Sequence, residues 1–136
     1  MGHEVFVDTS AWIAVSDTRD KYHGPAKEEL NRLVTDRRTL VTTNLVIAEA
    51  YIIIRRSGGH AQAMRLLQSF RGSPRLMKVY SVASLESIAV EILERHTDQE
   101  FSFADAVSFA VMRERAIAEA FTFDSHFATI GFQKLP

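Results

Sequence analysis

The sequence predicts an α/β fold in which a mainly parallel central sheet is flanked by helices. Short apolar runs that are typical of buried strands alternate along the chain with longer segments whose apolar residues recur at helical spacing. Strands joined through helices imply βαβ units, and such units build parallel sheets with helices on both faces. The chain has 136 residues, which fits one domain with a hydrophobic core, so we expect residues 1–136 to form a single domain.

The first part of the chain supplies two strands and two helices. Residues 5–8 form an apolar run without polar alternation, as in a buried strand. Thr9 and Ser10 then offer an N-cap for a short helix. Pro25 suits the first turn of a second helix, and residues 40–42 predict the second strand.

The third helix is expected to begin at Thr43 or Asn44 and to run to Arg56, where the Ser-Gly-Gly sequence at residues 57–59 breaks it. The third strand is polar in places, which favours a position near the edge of the sheet. The further predicted elements are a helix around residues 63–70, the third strand over 76–82, helices over 85–93 and 103–115, a strand over 120–123 and a last strand over 132–135.

Four acidic residues lie in or at the edge of apolar elements, where a carboxylate is costly. They are Asp8, Glu49, Asp105 and Asp124. A carboxylate among apolar neighbours is expensive unless it is paired or bound to a metal. In open parallel sheets, ligands bind at the carboxyl ends of the strands. Because Asp8 and Asp124 end two predicted strands, we expect the four acids to converge at one end of the sheet.

Such a cluster indicates a site for a hard divalent cation. Carboxylate ligands without cysteine favour Mg²⁺ or Mn²⁺ over zinc, and the chain has no cysteine. Disulfides, thiolate metal sites and a cysteine nucleophile are therefore excluded. An ion of this kind lowers the pKa of a bound water and neutralises charge that develops on a phosphate group.

Each acid also has a purely structural interpretation. Asp8 could be a helix N-cap, and Asp124 could be a turn residue before Ser125 and His126. Glu49 could extend to solvent from a partly exposed helix or form an ion pair with Arg55 or Arg56, and Asp105 could form an ion pair with a neighbouring basic residue. Four independent explanations are then needed, whereas one cation site explains all four residues.

In the motifs that contain these four acids, the chain resembles the PIN-domain ribonucleases, in particular the VapC-type toxins of prokaryotic toxin–antitoxin pairs. The resemblance spans nearly the whole chain and implies metal-dependent cleavage of RNA by a homodimer that a small antitoxin protein blocks. It implies that the four acids form the metal site, and that Thr9 or Ser10 and Asn44 support them by hydrogen bonding. The matching motifs are Phe6-Val7-Asp8-Thr9-Ser10-Ala11, Asn44-Leu45-Val46-Ile47-Ala48-Glu49, Ser102-Phe103-Ala104-Asp105-Ala106 and Thr122-Phe123-Asp124-Ser125-His126-Phe127.

Basic residues suggest where RNA would bind. The net charge of −1 hides an excess of four positive charges in residues 1–78 and of five negative charges in residues 79–136. Arg55 and Arg56 are candidates to hold the RNA backbone, although basic residues also simply solvate helix surfaces. His126 is a candidate to contact phosphate or to protonate a leaving group, and its alternative role is packing in a turn.

The stretch at residues 51–54 is apolar nearly all round its helix, so it is either deeply buried or part of a dimer contact. No apolar run is long enough to predict a transmembrane helix. No secretory signal is visible at the N-terminus. Together with the lack of cysteine, these features lead us to expect a cytoplasmic protein.

Two other acidic α/β enzymes fit the sequence poorly. A phosphoacceptor receiver domain would need a lysine after a late strand, but Lys134 is the sole lysine after position 78. A haloacid-type phosphatase would need an Asp two residues after Asp8, where Ser10 stands. The alternative that stays open is a non-catalytic module that uses the same fold to bind RNA or a protein.

Overall fold

A five-stranded sheet, parallel throughout, forms the centre of the computed structural model, which describes residues 3–136. The strand order is β3-β2-β1-β4-β5, so β1 is central and β3 lies at an edge, as its polar character predicted. Phe6 on β1 pairs with Val41 on one side and Ala120 on the other. The strands are β1 Glu4–Val7, β2 Thr39–Thr43, β3 Leu76–Val79, β4 Glu119–Phe121 and β5 Gln133–Leu135.

Seven helices accompany this sheet in the described part of the chain, and the predicted α/β class with a parallel sheet is confirmed. The helices are α1 Thr9–Ser16, α2 His23–Thr35, α3 Asn44–Gly58, α4 His60–Ser69, α5 Ala83–Arg95, α6 Phe103–Glu114 and α7 His126–Thr129. The sequence did not predict α7. It is a single turn, and periodicity needs a longer segment to be visible.

Two strands, β3 and β4, end earlier than predicted because the adjacent strands with which they pair end at the same level of the sheet. The last pair between β2 and β3 joins Thr43 to Val79, since the chain turns into α3 at Asn44. Phe121 is likewise the last paired residue of β4, beside Val7 and Leu135. Residues 80–82 and 122–123 therefore have no ladder to join.

The ends of α3 follow the sequence signals. Thr43 is the N-cap, and its Oγ1 accepts a hydrogen bond from the backbone N–H of Val46 at 3.1 Å. Gly59 ends the helix with a φ of 87°, a conformation that favours glycine. Of the apolar stretch that precedes it, Ile54 is fully buried, whereas Ile52 and Ile53 are 48% and 44% exposed.

Aromatic side chains fix the short helix α7 to the core. Phe127 is fully buried, with its ring centroid 6.1 Å from Phe6 and 4.9 Å from Phe109. This packing joins α7 to the central strand and to α6, which positions the loop that carries Asp124 and His126. Within residues 3–136, no helix combines the length and the apolar character that crossing a membrane requires.

Candidate functional site

The structure brings the four acidic side chains to one cavity at the carboxyl edge of the sheet. Asp8 directly follows β1, Asp124 follows β4, Glu49 lies in the second turn of α3, and Asp105 lies in the first turn of α6. All four line a cavity of about 310 Å³, which we call the acidic cavity. The fold thus gathers residues that are far apart in sequence at the edge where parallel sheets bind ligands.

Burial makes ionisation of Asp8, Glu49 and Asp105 unfavourable. Asp8 is 4% exposed and Asp105 is 8% exposed. Burial raises the pKa of Asp8 to about 6, and the charge of Asp105 adds to this rise. Burial also raises the pKa of Glu49 and of Asp105, and in both cases the charge of Asp124 contributes. A bound cation would remove this penalty, so the electrostatics favour a metal site.

Two hydroxyl groups orient Asp8. Ser10 Oγ and Thr122 Oγ1 both donate to Asp8 Oδ2, at 3.0 and 2.9 Å. The same hydroxyls accept from the backbone N–H groups of Phe123 and Asp124, each at 2.9 Å. Asp8 occupies the N-cap position of α1 but makes no side-chain capping bond. Its carboxylate is therefore held by the network that also fixes the loop after β4.

Thr122 was not identified from the sequence as part of this site. Its signal was a lone hydroxyl in an otherwise apolar strand end, Ala120 to Phe123. A single Thr in a strand is common, so the signal became meaningful only when the structure placed it against Asp8.

Of the residues expected to support the acids, Thr9 and Ser10 contact them and Asn44 does not. Thr9 Oγ1 donates to Glu49 Oε1 at 2.8 Å. The Asn44 side chain bonds to Ser81 instead, accepting from its backbone N–H at 2.8 Å. Asn44 begins α3 five residues before Glu49, a spacing that puts the two on different helix faces. Asn44 therefore fixes the start of α3 to the segment after β3.

Asp105, Asp124 and His126 form a close group of side chains that could ligate a metal. One ligand atom from each lies within 4.8 Å of the others. His126 Nδ1 is 3.3 Å from Asp105 Oδ2 and 3.3 Å from Asp124 Oδ1. Its backbone N–H also donates to Asp124 Oδ1 at 2.9 Å, so the predicted turn role of Asp124 is real as well. The two carboxylates suit Mg²⁺ or Mn²⁺, whereas an imidazole ligand is more typical of zinc, copper, iron or nickel.

Asp105 has a structural role beside this one. Its backbone N–H donates to Ser102 Oγ at 2.9 Å, and its Oδ2 accepts from the backbone N–H of Ser102 at 3.0 Å. This reciprocal pair is a capping box that begins α6. The Ser-x-x-Asp spacing was visible in the sequence and was not recognised there. The cap fixes the carboxylate at the mouth of the cavity.

Arg55 and Arg56 lie exposed at the end of α3. In the described part of the chain, neither forms an ion pair with Glu49, since the ion pairs involve other basic residues. Arg56 is seven residues after Glu49 and three after Ile53, which also lines the acidic cavity. These three residues therefore share one helix face, and Arg55 does not.

The raised pKa of Asp8 predicts how stability changes with pH in the metal-free protein. An acid with a folded-state pKa above its unfolded value destabilises the fold once it ionises. This destabilisation is absent below about pH 4, grows as the pH rises towards 6, and is complete above it. Replacing Asp8 with Asn should raise the unfolding free energy by about 3 kcal/mol at pH 7 and leave it nearly unchanged at pH 4.

Urea denaturation in chelator, at half-unit steps from pH 4 to 8, measures this difference. The control is Asp98→Asn, because Asp98 is exposed and does not line the acidic cavity. If the unfolding free energies of Asp8→Asn and the wild type differ by the same amount from pH 4 to 7, the pKa of Asp8 is not raised in the folded protein.

Known proteins show the same sequence pattern and the same fold. A family model described as the PIN domain matches residues 5–133. The 23S rRNA-specific endonuclease VapC20 of Mycobacterium tuberculosis, strains CDC 1551 and H37Rv, is 40% identical over 129 residues, which are 94% of this chain and 95% of that protein. The crystal structure of M. tuberculosis VapC20, a sarcin-ricin loop cleaving toxin, has a TM-score of 0.84 at 38% identity and covers 94% of this chain and 95% of its own. This chain belongs to the PIN domain family.

Proposed function

We propose that this protein is a divalent-cation-dependent endoribonuclease and the toxin of a toxin–antitoxin pair. The observation that carries this proposal is the convergence of four carboxylates in one cavity of a PIN fold. Burial raises the pKa of three of them. A set of acids kept at this electrostatic penalty is suited to hold a cation that acts on phosphodiesters.

Similarity to VapC20 supports RNA as the substrate. The relative is a 23S rRNA-specific endonuclease, and the match covers nearly the full length of both chains. We therefore take 23S rRNA as the first substrate to test. A cytoplasmic location, expected from the sequence, would place the protein beside ribosomes and beside a small antitoxin protein that blocks the site.

The side chains would divide the work as follows. Asp105 and Asp124 would ligate Mg²⁺ or Mn²⁺, and Asp8 and Glu49 would reach it directly or through water. When bound, the ion acts as a Lewis acid on the phosphoryl group and offsets charge that develops during cleavage. Ser10 hydrogen-bonds Asp8 and thereby keeps it oriented towards the cavity.

His126 would act at the phosphate. Its Nδ1 faces the two carboxylates, which leaves Nε2 as the ring atom available for a phosphate oxygen or for the leaving oxygen. The ring also packs edge-on against Phe101, with centroids 5.1 Å apart. This packing holds the imidazole in place for either role.

The alternative is a PIN-like module that binds RNA or a protein without cleaving. Loss of an acid would favour it, but all four are present and line one cavity. A nuclease assay separates the two functions.

Asp8→Asn and Asp105→Asn should each lower RNA cleavage by at least about a hundredfold, because each removes charge that holds the cation. The measurement is incubation with total RNA and with 23S rRNA, with and without Mn²⁺, followed by mapping of the cut ends. The exposed Asp98→Asn variant serves as the control and should cleave like the wild type. Full cleavage by either acidic-cavity variant, or by the wild type in excess chelator, would refute the mechanism.

Mg²⁺ or Mn²⁺ should raise the melting temperature, because the cation binds the folded site and not the dispersed acids of the unfolded chain. At a cation concentration about 100 times its Kd, we expect a rise of about 8 °C. Thermal unfolding by circular dichroism measures it. The rise should vanish in a Glu49→Gln, Asp105→Asn double variant and persist in Asp98→Asn. An equal rise in all three proteins would place the cation elsewhere.

We further propose that the protein is a homodimer through the exposed part of α3. Ile52 and Ile53 are about half exposed, and a symmetric pair of helices would cover such a face. Light scattering at micromolar concentration should give twice the monomer mass for the wild type. Ile52→Glu should give a monomer, and Val34→Glu, at another exposed apolar position, should stay dimeric. A monomeric wild type would refute the dimer.

A further inference from the structure

A second cavity adjoins the acidic cavity on the side of Asp124. Its volume is about 490 Å³, which lies within the range that holds small ligands. The two cavities share Ser10, Ile13 and Asp124 as lining residues. A chain that crosses the acidic cavity can therefore continue into this one without leaving the surface.

Two stacked aromatic rings, each with a lysine ammonium group over it, border the second cavity. The Tyr22 and Phe123 ring centroids are 4.6 Å apart, and their planes differ by 5°. Lys21 Nζ lies 4.9 Å from the Tyr22 centroid, and Lys134 Nζ lies 5.6 Å from the Phe123 centroid. We call these four residues and the cavity the basic-aromatic cleft. The face of an aromatic ring attracts a cation, so each ring holds one ammonium group. Lys21 lines the cavity itself, and Lys134 contacts Phe123, which lines it.

The stack is tied to the network that orients the acids. The backbone N–H of Phe123 donates to Ser10 Oγ at 2.9 Å, and the same Ser10 Oγ donates to Asp8 Oδ2 at 3.0 Å. On the other side, the backbone N–H of Tyr22 donates to Asp20 Oδ1 at 2.8 Å. Phe123 is therefore linked to the Asp8 carboxylate through Ser10, and Tyr22 is joined to Phe123 by ring stacking.

Both lysines retain hydrogen-bond donors for an anion. Within residues 3–136, neither ammonium forms an ion pair with a carboxylate, although Asp20 and Asp124 also line the cavity. Tyr22 is 38% exposed, so its edge is open to solvent. An ammonium group has three N–H donors, and contact with a ring face leaves donors free for a phosphate oxygen. The cleft therefore offers positive charge next to a cavity that repels phosphate.

We propose that the basic-aromatic cleft binds the ribonucleotide next to the scissile phosphate, with Lys21 and Lys134 donating to oxygens of the RNA backbone. This inference rests on the proposed function, because the acidic cavity beside the cleft defines which phosphate is cut. Tyr22 and Phe123 are positioning residues, since they act on RNA through the two ammonium groups. The cleft would set where the strand lies before cleavage and would leave the chemical step unchanged.

The first test is binding of a labelled, mixed-sequence single-stranded RNA of about ten nucleotides. It uses the full chain with Asp105→Asn, so that cleavage does not interfere. Adding Lys21→Gln and Lys134→Gln together should weaken binding by about tenfold or more. The slope of log Kd against log salt should fall by about 1.4, or about 0.7 for each lysine. Fluorescence anisotropy at several salt concentrations measures both quantities.

The matched control is Lys78→Gln in the same background. Lys78 Nζ also lies over an exposed tyrosine, 5.0 Å from the Tyr80 centroid, but it belongs to the edge strand β3, and the acidic cavity does not include it. This variant should bind like its parent. An effect of Lys78→Gln as large as that of the lysine pair would overturn the inference.

The second test separates positioning from chemistry in the cleaving protein. With all four acids intact, the Lys21→Gln, Lys134→Gln variant should raise KM about tenfold and leave kcat within about twofold of the wild type. Tyr22→Leu should raise KM in the same direction, because Lys21 loses its ring. If the Lys21→Gln, Lys134→Gln variant shows unchanged RNA binding and an unchanged KM, the inference is overturned even if the wild type cleaves RNA. A wild type that cleaves no RNA would overturn the proposed function. The binding measurement would still show whether Lys21 and Lys134 contribute to RNA binding.

Discussion

The cost of burying carboxylates together at the carboxyl edge of one sheet governs how this molecule is built. Asp8 and Asp105 are nearly inaccessible to water; burial raises the pKa of both, and the charge of a neighbouring acid raises it further. The fold must supply the free energy to hold them. It does so with a central strand whose three apolar residues before Asp8 are fully buried, and with hydroxyl donors where the sheet ends.

The loop after β4 shows how packing and polar contacts share this task. Phe127 is fixed between the central strand and α6, and it immediately follows His126. Thr122 precedes Asp124 by two residues and binds both Asp8 and the backbone of Asp124. A short segment without a long helix or strand thus becomes rigid because it is fixed at both ends. This rigidity gives the candidate ligands a defined geometry before any cation binds.

Features that depend on local sequence were predictable, and features that depend on contacts between distant segments were not. The break at Gly59 and the cap at Thr43 follow from residue type alone. The strand ends at Val79 and Phe121 depend on where neighbouring strands stop, which no local pattern records. The bond from Thr122 to Asp8 spans 114 residues, and neither segment by itself indicates the other as its partner. The acids were recognisable because a carboxylate in an apolar run is unusual in itself.

The distribution of positive charge follows from the same constraint. Residues 50–85 contain six Lys or Arg residues and no Asp or Glu, and in the described chain none of the six joins an ion pair, whereas Arg19, Arg32, Arg38 and Arg115 all do. These unpaired charges lie at the end of α3, in α4, in the turn that follows it and in β3. A polyanion responds to such local fields and not to a net charge of −1.

An enzyme that concentrates negative charge where it cuts must place cations around that point, and it cannot neutralise those cations with its own carboxylates. In this chain Lys21 and Lys134 form no ion pair within the described residues and are instead held by aromatic rings, which position a cation without neutralising it.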